Sequence, residues 1–197
     1  MKVHLNAFSL AIVSACSFAN VASASITVTQ QAGPAPTYGI TLNFDELGGP
    51  TGPNVPSNAW SSIGITSLVS GEGTNFVGDL SGDFPWLPNN NVYAAPFGAF
   101  INYGADLSAF SIQVWDPSGP PGPFGGGLGV FVFDDGVEVG SAFVEPAWGG
   151  VGDTWYNITT TAGSKFDEVR ILGFGFSPTT YIDNLSWNVV PGPGAFA

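Results

Sequence analysis

Three carboxylates near the ends of apolar segments are the first residues whose spacing suggests chemistry. Asp45 and Glu46 follow an early apolar segment, and Asp183 lies within the last one. The first and last strands of a jelly roll commonly pair, so these side chains could converge. Ca²⁺ takes about six to eight oxygen ligands, and we expect a structural calcium site here. Alternatively, Asp45 and Glu46 cap loops, and Asp183 accepts a hydrogen bond from a neighbouring backbone amide.

Aromatic and amide side chains in Gly- and Pro-rich segments form a second candidate site. An exposed ring can stack on a sugar face while an amide bonds to the sugar hydroxyls. The candidate residues for carbohydrate binding are Trp60, Trp86, Asn89, Asn90, Asn91, Tyr93 and Trp148. Alternatively, the rings cover the ends of the core, as large aromatic side chains usually do. The remaining tryptophans near strands, Trp115, Trp155 and Trp187, are assigned to the core.

The composition excludes several kinds of catalyst and partner. The only His and the only Cys are His4 and Cys16, both within the first 24 residues. If these 24 residues are removed as a leader, the rest of the chain has neither His nor Cys. It then cannot form a catalytic triad based on His, a zinc site of His and Cys, or a disulfide. The formal charge of −12 argues against nucleic-acid binding. Adjacent carboxylates such as Asp134 and Asp135 point to opposite faces of a strand, so they are not a glycosidase pair.

The first 24 residues resemble a secretory signal peptide. A weakly basic start precedes an apolar run over residues 7–19, which is too short to span a bilayer, and Ala22-Ser23-Ala24 forms an A-x-A cleavage site. We expect cleavage after Ala24 and a secreted or cell-surface protein whose only cations are Lys165 and Arg170. The alternative is a lipoprotein signal in which Cys16 is lipidated.

The rest of the chain consists of short β-forming segments separated by Gly, Pro and Asn. The predicted strands span residues 26–29, 38–44, 61–68, 97–103, 107–115, 128–133, 137–144, 154–160, 168–176 and 180–187. Residues 111–115 alternate between polar and apolar, as in a strand with one wet face, whereas residues 130–133 are apolar on both faces and predict a buried strand. The 48–60, 71–91 and 117–127 segments are predicted loops. No window has a sustained helical period.

This pattern predicts an all-β fold, a two-sheet antiparallel jelly-roll sandwich, in one domain over residues 25–189. The strongest local signal is Asp134-Asp135-Gly136, which predicts a tight hairpin between two apolar strands. The net negative charge of the domain should keep it soluble and monomeric.

The last strand and the residues after it resemble exported bacterial proteins of the PEP-CTERM type. Tyr181-Ile182-Asp183-Asn184-Leu185-Ser186-Trp187 is similar to that family's final strand, and Val190-Pro191-Gly192-Pro193 is similar to the start of its sorting segment. Gly192 stands where Glu or Ala is common in the family. We expect residues 190–197 to begin a truncated segment, continued by about 15–25 residues with an apolar helix.

The resemblance implies a non-catalytic matrix protein associated with exopolysaccharide and biofilm. Its partners would be extracellular polysaccharide and the export and sorting machinery. The alternative is a carbohydrate-binding module that depends on calcium, since similar sandwiches often hold a structural calcium ion. A glycoside-active enzyme is a third, more distant hypothesis.

Overall fold

The computed structural model describes residues 25–46, 49–85, 87–115, 127–144, 154–161, 163–174 and 179–191. The predicted signal peptide, residues 192–197 of the predicted sorting segment, and two candidate sugar-binding residues, Trp86 and Trp148, lie outside these residues.

The described chain forms twelve strands and one short 3-10 helix. The strands are β1 (Ile26–Ala32), β2 (Ile40–Leu42), β3 (Gly52–Pro53), β4 (Ile65–Ser70), β5 (Phe76–Asp79), β6 (Asn91–Pro96), β7 (Ala99–Trp115), β8 (Gly127–Asp134), β9 (Val137–Val144), β10 (Thr154–Thr160), β11 (Phe166–Phe174) and β12 (Thr179–Val189). The 3-10 helix spans Ser61–Ile63. The described residues include no helix that is long and apolar enough to span a membrane.

All strand pairs are antiparallel, and the strands form two layers. The back layer contains β4, the first half of β7, β11, β8 and β9. The front layer contains β1, β10, the second half of β7, β12, and then β2, β6, β5 and β3. The predicted all-β sandwich is therefore confirmed.

The long strand β7 joins the two layers. Residues 99–102 pair with both β4 and β11, whereas residues 109–111 and Gln113 pair with both β10 and β12. The sequence predicted two strands here, divided between residues 103 and 107. Gly104 lies within that interval, where the register on the neighbouring strand β11 also shifts. One continuous strand thus supplies side chains to both layers.

The core fills the space between the layers with alternate side chains from their strands. Ile101, Val130 and Val169 of the back layer and Ile112 and Trp187 of the front layer belong to one buried cluster, and each is at most 1 % exposed. The burial of one such aliphatic side chain contributes about 1.5–3 kcal/mol to the free energy of unfolding. This cluster holds the front layer in a fixed position against the back layer.

The structure corrects the prediction that the strand at residues 130–133 is buried on both faces. Val130 and Val132 are buried, but Phe131 and Phe133 are only partly buried, and the Arg170 guanidinium lies 4.0 Å from the centre of the Phe133 ring. A phenylalanine in a sequence looks the same whether its ring lies in a core or beneath a cation. The four apolar residues therefore did not show that one face of this strand is only partly buried.

The predicted hairpin between β8 and β9 is confirmed. Asp134 pairs with Val137, and the two residues between them, Asp135 and Gly136, have φ angles of 50° and 79°. Two positive φ angles in succession match a type I′ turn, which suits the right-handed twist of the strands it joins.

A second tight turn, between β6 and β7, depends on a glycine. Gly98 has φ +98°, and a Cβ atom there would overlap the carbonyl oxygen of Ile171 on the adjacent strand. We expect Gly98→Ala to lower the free energy of unfolding by about 2 kcal/mol or more, because it combines backbone strain with a steric overlap. Urea unfolding of the purified variant measures this loss.

The matched control is Gly82→Ala. Gly82 has no positive φ angle, and a Cβ atom there would have open space around it. We expect a change within about 0.5 kcal/mol for this control. Equal losses in the two variants would contradict the role assigned to Gly98.

Candidate functional site

Two short strands share one edge of β12, and the residues between them form the first part of the site. Residues 179–182 pair with β6, residues 185–187 pair with β2, and Asp183 and Asn184 fall between the two registers. Asn184 has φ 49°, an uncommon angle for a residue other than glycine. We call Asp45, Asn90, Asn91, Asp183 and Asn184 the β2/β6 junction.

The junction brings two of the predicted carboxylates to one amide group. Asn90 Nδ2 donates to Asp183 Oδ2 at 2.9 Å and to Asp45 Oδ2 at 3.2 Å. The backbone N–H of Asn91 donates to Asp45 Oδ1 at 2.9 Å. The convergence follows from the pairing of β2 with β12, because this pairing places the residues after β2 beside the middle of the last strand.

The third predicted carboxylate, Glu46, has a local role. Its Oε1 atom accepts a hydrogen bond from the backbone N–H of Asn43 at 3.0 Å. The Asn43 side chain in turn accepts one from the backbone N–H of Asp45 at 3.1 Å. These bonds close the turn after β2, as the loop-capping alternative expected, and both Asp45 and Glu46 remain exposed.

Asp183 is buried, and its carboxylate is held by neighbouring amides. It is 0 % exposed and accepts hydrogen bonds from the backbone N–H of Asn184 at 2.7 Å and from Asn184 Nδ2 at 3.1 Å. Burial raises the pKa of Asp183 to about 7, and the negative charges of Asp45 and Glu46 add to the increase. The hydrogen bonds from Asn184 and Asn90 oppose this increase in the pKa only in part.

The junction matches the chemistry of calcium in donor type but not in donor number. Asp45 and Asp183 supply carboxylate oxygens, and Asn90 Oδ1 is a buried acceptor with no hydrogen-bond partner. Ca²⁺ requires about six to eight oxygen ligands. Among the described residues, no group of three or more His, Cys, Asp or Glu side chains is arranged to hold a metal ion.

A polar groove of about 420 Å³ lies beside the junction, on the outer face of the front layer. Trp155 on β10 pairs with Gln113 on β7, which pairs with Asp183 on β12, so these side chains form a row across three strands. Asn184 Nδ2 donates to Gln113 Oε1 at 2.7 Å. The groove is lined by Thr37, Thr41, Leu42, Asn43, Asp45, Glu46, Trp155, Asn184, Leu185 and Ser186.

A second polar row fixes the segment that borders the groove. The hydroxyls of Ser111 and Ser186 lie 2.7 Å apart, and Ser111 Oγ donates to the Pro36 carbonyl at 2.9 Å. Tyr38 donates its backbone N–H to Ser186 Oγ at 3.0 Å and its hydroxyl to Asn157 Oδ1 at 2.6 Å. These bonds attach the chain between β1 and β2 to the outer face of the front layer.

Trp155 corrects the prediction that it belongs to the core. Its neighbours on β10, Tyr156 and Ile158, are buried between the layers, whereas Trp155 is only partly buried and lines the groove. Trp115 and Trp187 are 3 % and 0 % exposed, as predicted. Strand alternation relative to Tyr156 could have identified Trp155 as a residue of the outer face.

Two predicted sugar-binding rings are instead part of the core. Trp60 is 6 % exposed and Tyr93 is 0 % exposed, and their ring centres lie 6.0 Å apart. Phe44 contacts both rings, at 5.4 Å from Trp60 and 5.8 Å from Tyr93. A ring with no accessible face cannot stack on a sugar, so neither residue is available for that role.

The predicted amides also lie outside the groove. Asn89 is exposed and accepts a hydrogen bond from Ser81 Oγ at 3.0 Å. Asn91 donates from its side chain to the Phe44 carbonyl at 3.1 Å, and Asn90 bridges the carboxylates of the junction. Asn90 and Asn91 thus position the turn after β2, and Asn89 does not contact the turn. Two amides that were not predicted, those of Asn43 and Asn184, line the groove.

Two of the solved structures that resemble this chain are only distantly similar to it. One is a family 6 carbohydrate-binding module, with 15 % identity over 64 % of this chain and 88 % of that chain and a TM-score of 0.36. The other is the M60 catalytic domain with the CBM51-1 and CBM51-2 domains of Clostridium perfringens ZmpB, with 10 % identity over 84 % of this chain and 18 % of that chain and a TM-score of 0.33. No protein-family model and no curated protein matches this sequence. TM-scores this low do not assign a function.

The buried carboxyl of Asp183 predicts a specific dependence of stability on pH. Because its folded pKa of about 7 is above the ordinary value of 3.8, the folded state holds a proton that the unfolded state releases between these values. The contribution of this group to the free energy of unfolding is fully present at low pH and is lost as the pH rises from about 4 to about 7. The loss is at most about 4 kcal/mol, at 1.36 kcal/mol per pKa unit.

Urea unfolding at several pH values, with a chelator present throughout, measures this effect. Asp183→Asn should remove the part of the pH dependence that Asp183 contributes, whereas the control Asp83→Asn, at an exposed loop position, should retain it. Identical pH profiles for Asp183→Asn and the unmodified protein would show that Asp183 titrates normally in the fold.

Proposed function

We propose that this protein is a non-catalytic carbohydrate-binding protein whose binding site is the groove on the front layer. The observation that supports it is the partly buried Trp155 indole next to the hydrogen-bonded side chains of Gln113 and Asn184. An indole supplies an apolar platform for the C–H face of a sugar ring. An amide group fixes the position of a hydroxyl group through a hydrogen bond.

The groove has a suitable size and composition for one or two sugar rings. Its volume of about 420 Å³ lies in the ordinary range for small-ligand sites. Thr37, Thr41 and Asn43 add short polar side chains along the walls. The floor is rigid, because Asn184 is bonded to Gln113 and Asp183 and lies on a strand whose neighbours are packed in the core.

The proposal of binding without turnover rests on the positions of the carboxylates. A glycosidase needs two carboxyl groups that face the scissile bond, one of them with a raised pKa. Asp183 has the raised pKa, but its side chain is fully buried and its oxygens are bonded to Asn90 and Asn184. The carboxyl suited to be the acid therefore does not reach a ligand in the groove.

Export and matrix association complete the proposed role. The signal peptide ending at Ala24 and the Val190-Pro191-Gly192-Pro193 segment support secretion and PEP-CTERM-type sorting. The partners would then be extracellular polysaccharide and the export and sorting machinery, and the acidic domain would act as a monomer. Sequencing the N-terminus of the secreted protein tests the leader, with Ser25 as the expected first residue.

Calcium is a second part of the proposal. Asp45, Asp183 and Asn90 would hold the ion. It would lie between the two carboxylates, where the amide N–H groups of Asn90 now donate their hydrogen bonds. Stabilisation by a ligand grows with its concentration relative to the dissociation constant, so the melting temperature should rise with calcium and fall on chelation. Asp183→Asn should abolish this response, and a melting temperature unaffected by calcium or chelator would exclude the ion.

The test of the proposed function is Trp155→Ala on a glycan array, followed by titration of the best ligand. We expect binding to weaken at least about tenfold, because a central tryptophan commonly dominates a binding site. Trp155→Phe should retain part of the affinity, since it keeps a ring in the groove. Melting curves of both variants verify that they fold.

The matched control is Phe143→Ala, which removes a 67 % exposed ring from β9 in the back layer. Its affinity should equal that of the unmodified protein. Glycan binding that survives Trp155→Ala unchanged, or an array without any bound glycan, would contradict the proposed function.

A further inference from the structure

The distribution of charge around the groove is asymmetric, and it restricts the ligand. The exposed carboxylates of Asp45 and Glu46 both line the groove. No Lys, Arg or His is among the described residues that line it. The buried Asp183 lies next to it and is bonded to the groove residue Asn184.

The two cations of the described chain are held elsewhere by other carboxylates. Lys165 Nζ lies 2.9 Å from Asp106 Oδ2, and Arg170 Nε lies 2.6 Å from Glu168 Oε1. Arg170 is on β11 and Lys165 directly precedes that strand, which belongs to the back layer. Neither cation is therefore placed to neutralise the groove.

The groove carboxylates retain capacity to accept further hydrogen bonds. Asp45 accepts from the Asn91 backbone N–H and from the Asn90 side chain, and Glu46 accepts from the Asn43 backbone N–H. A carboxylate has about four acceptor sites. An ammonium group of a ligand could thus bond to either carboxylate while the turn after β2 stays intact.

From these observations we propose that the groove selects glycans that carry free amino groups, as in glucosamine polymers, over neutral and acidic glycans. This inference rests on the proposed function, because Trp155 and the amides make the site and the carboxylates set only its charge preference. A protonated amine gains a charge-assisted hydrogen bond that an N-acetyl group cannot form. The carboxylate of a uronic acid would meet two like charges in the groove.

The test compares three hexasaccharides by calorimetric titration at pH 6, with a chelator present so that calcium does not neutralise Asp45: β-1,4-glucosamine, β-1,4-N-acetylglucosamine and galacturonic acid. The glucosamine hexamer should bind at least about tenfold tighter than the acetylated one, as expected for a hydrogen bond to a charged group. The galacturonate hexamer should not bind. Raising the salt from about 50 to 500 mM should reduce the preference for glucosamine, because salt screens exposed charges.

Glu46→Gln assigns the preference to the groove rather than to the acidic surface as a whole. Glutamine retains the oxygen that accepts from the Asn43 backbone N–H, so the turn keeps its bond while the charge is lost. The ratio of the two affinities should fall at least about threefold, since one of two groove charges is removed. The control Glu138→Gln, an exposed carboxylate on β9, should leave the ratio unchanged.

Failure of this inference differs from failure of the proposed function. Equal affinities for the glucosamine and acetylated hexamers, or equal effects of Glu46→Gln and Glu138→Gln, would overturn the amine preference while glycan binding through Trp155 remained. Binding of none of the three hexamers would also overturn it, and the array with Trp155→Ala then decides whether the groove binds another glycan.

Discussion

The division of one edge of β12 between two short partner strands is the constraint on which the site depends. β6 covers the first part of this edge and β2 the second, so the backbone turns at Asp183 and Asn184 without a continuous ladder. A carboxylate is buried in the gap and bonded to asparagine amides. The same gap directs Asn184 toward Gln113, and Asn184 lines the groove. Fold, buried charge and proposed binding site therefore have a single structural origin.

The sequence predicted the strands that alternate or that end in recognisable turns, and it failed where a strand lies in a Gly-rich segment. β9 and β10 have the predicted bounds, because each carries a run of β-forming residues. β5 was assigned to a loop, and most of β6 was assigned to no strand, since Gly, Pro and Asn dominate the segment around them. Pairing with β12 stabilises β6, and this tertiary contact outweighs weak local propensity.

The predicted binding residues show why aromatic side chains are hard to assign from one sequence. Trp60 follows a polar, Pro-containing loop, yet it packs against Phe44 and Tyr93 because the 3-10 helix after it turns the chain onto the core. Trp155 lies inside a strand, yet it faces outward. The parity of a residue within its strand determines the face it occupies, and parity becomes known only when one neighbour is placed in the core. The proximity of Asp45 and Asp183 was easier to predict, since the pairing of an early strand with a late strand is enough to bring them together.

The central claim, that the groove around Trp155 binds sugar, is tested most directly by an NMR titration of protein labelled with ¹⁵N-tryptophan. Indole N–H signals are assigned through single Trp→Phe variants, and glucosamine and N-acetylglucosamine hexamers are added in separate experiments. The account predicts that the Trp155 signal moves and saturates with at least one hexamer, while the signals of the buried Trp60 and Trp187 stay in place. A Trp155 signal that is unmoved while either hexamer binds, or that moves no more than those of the buried indoles, would contradict it.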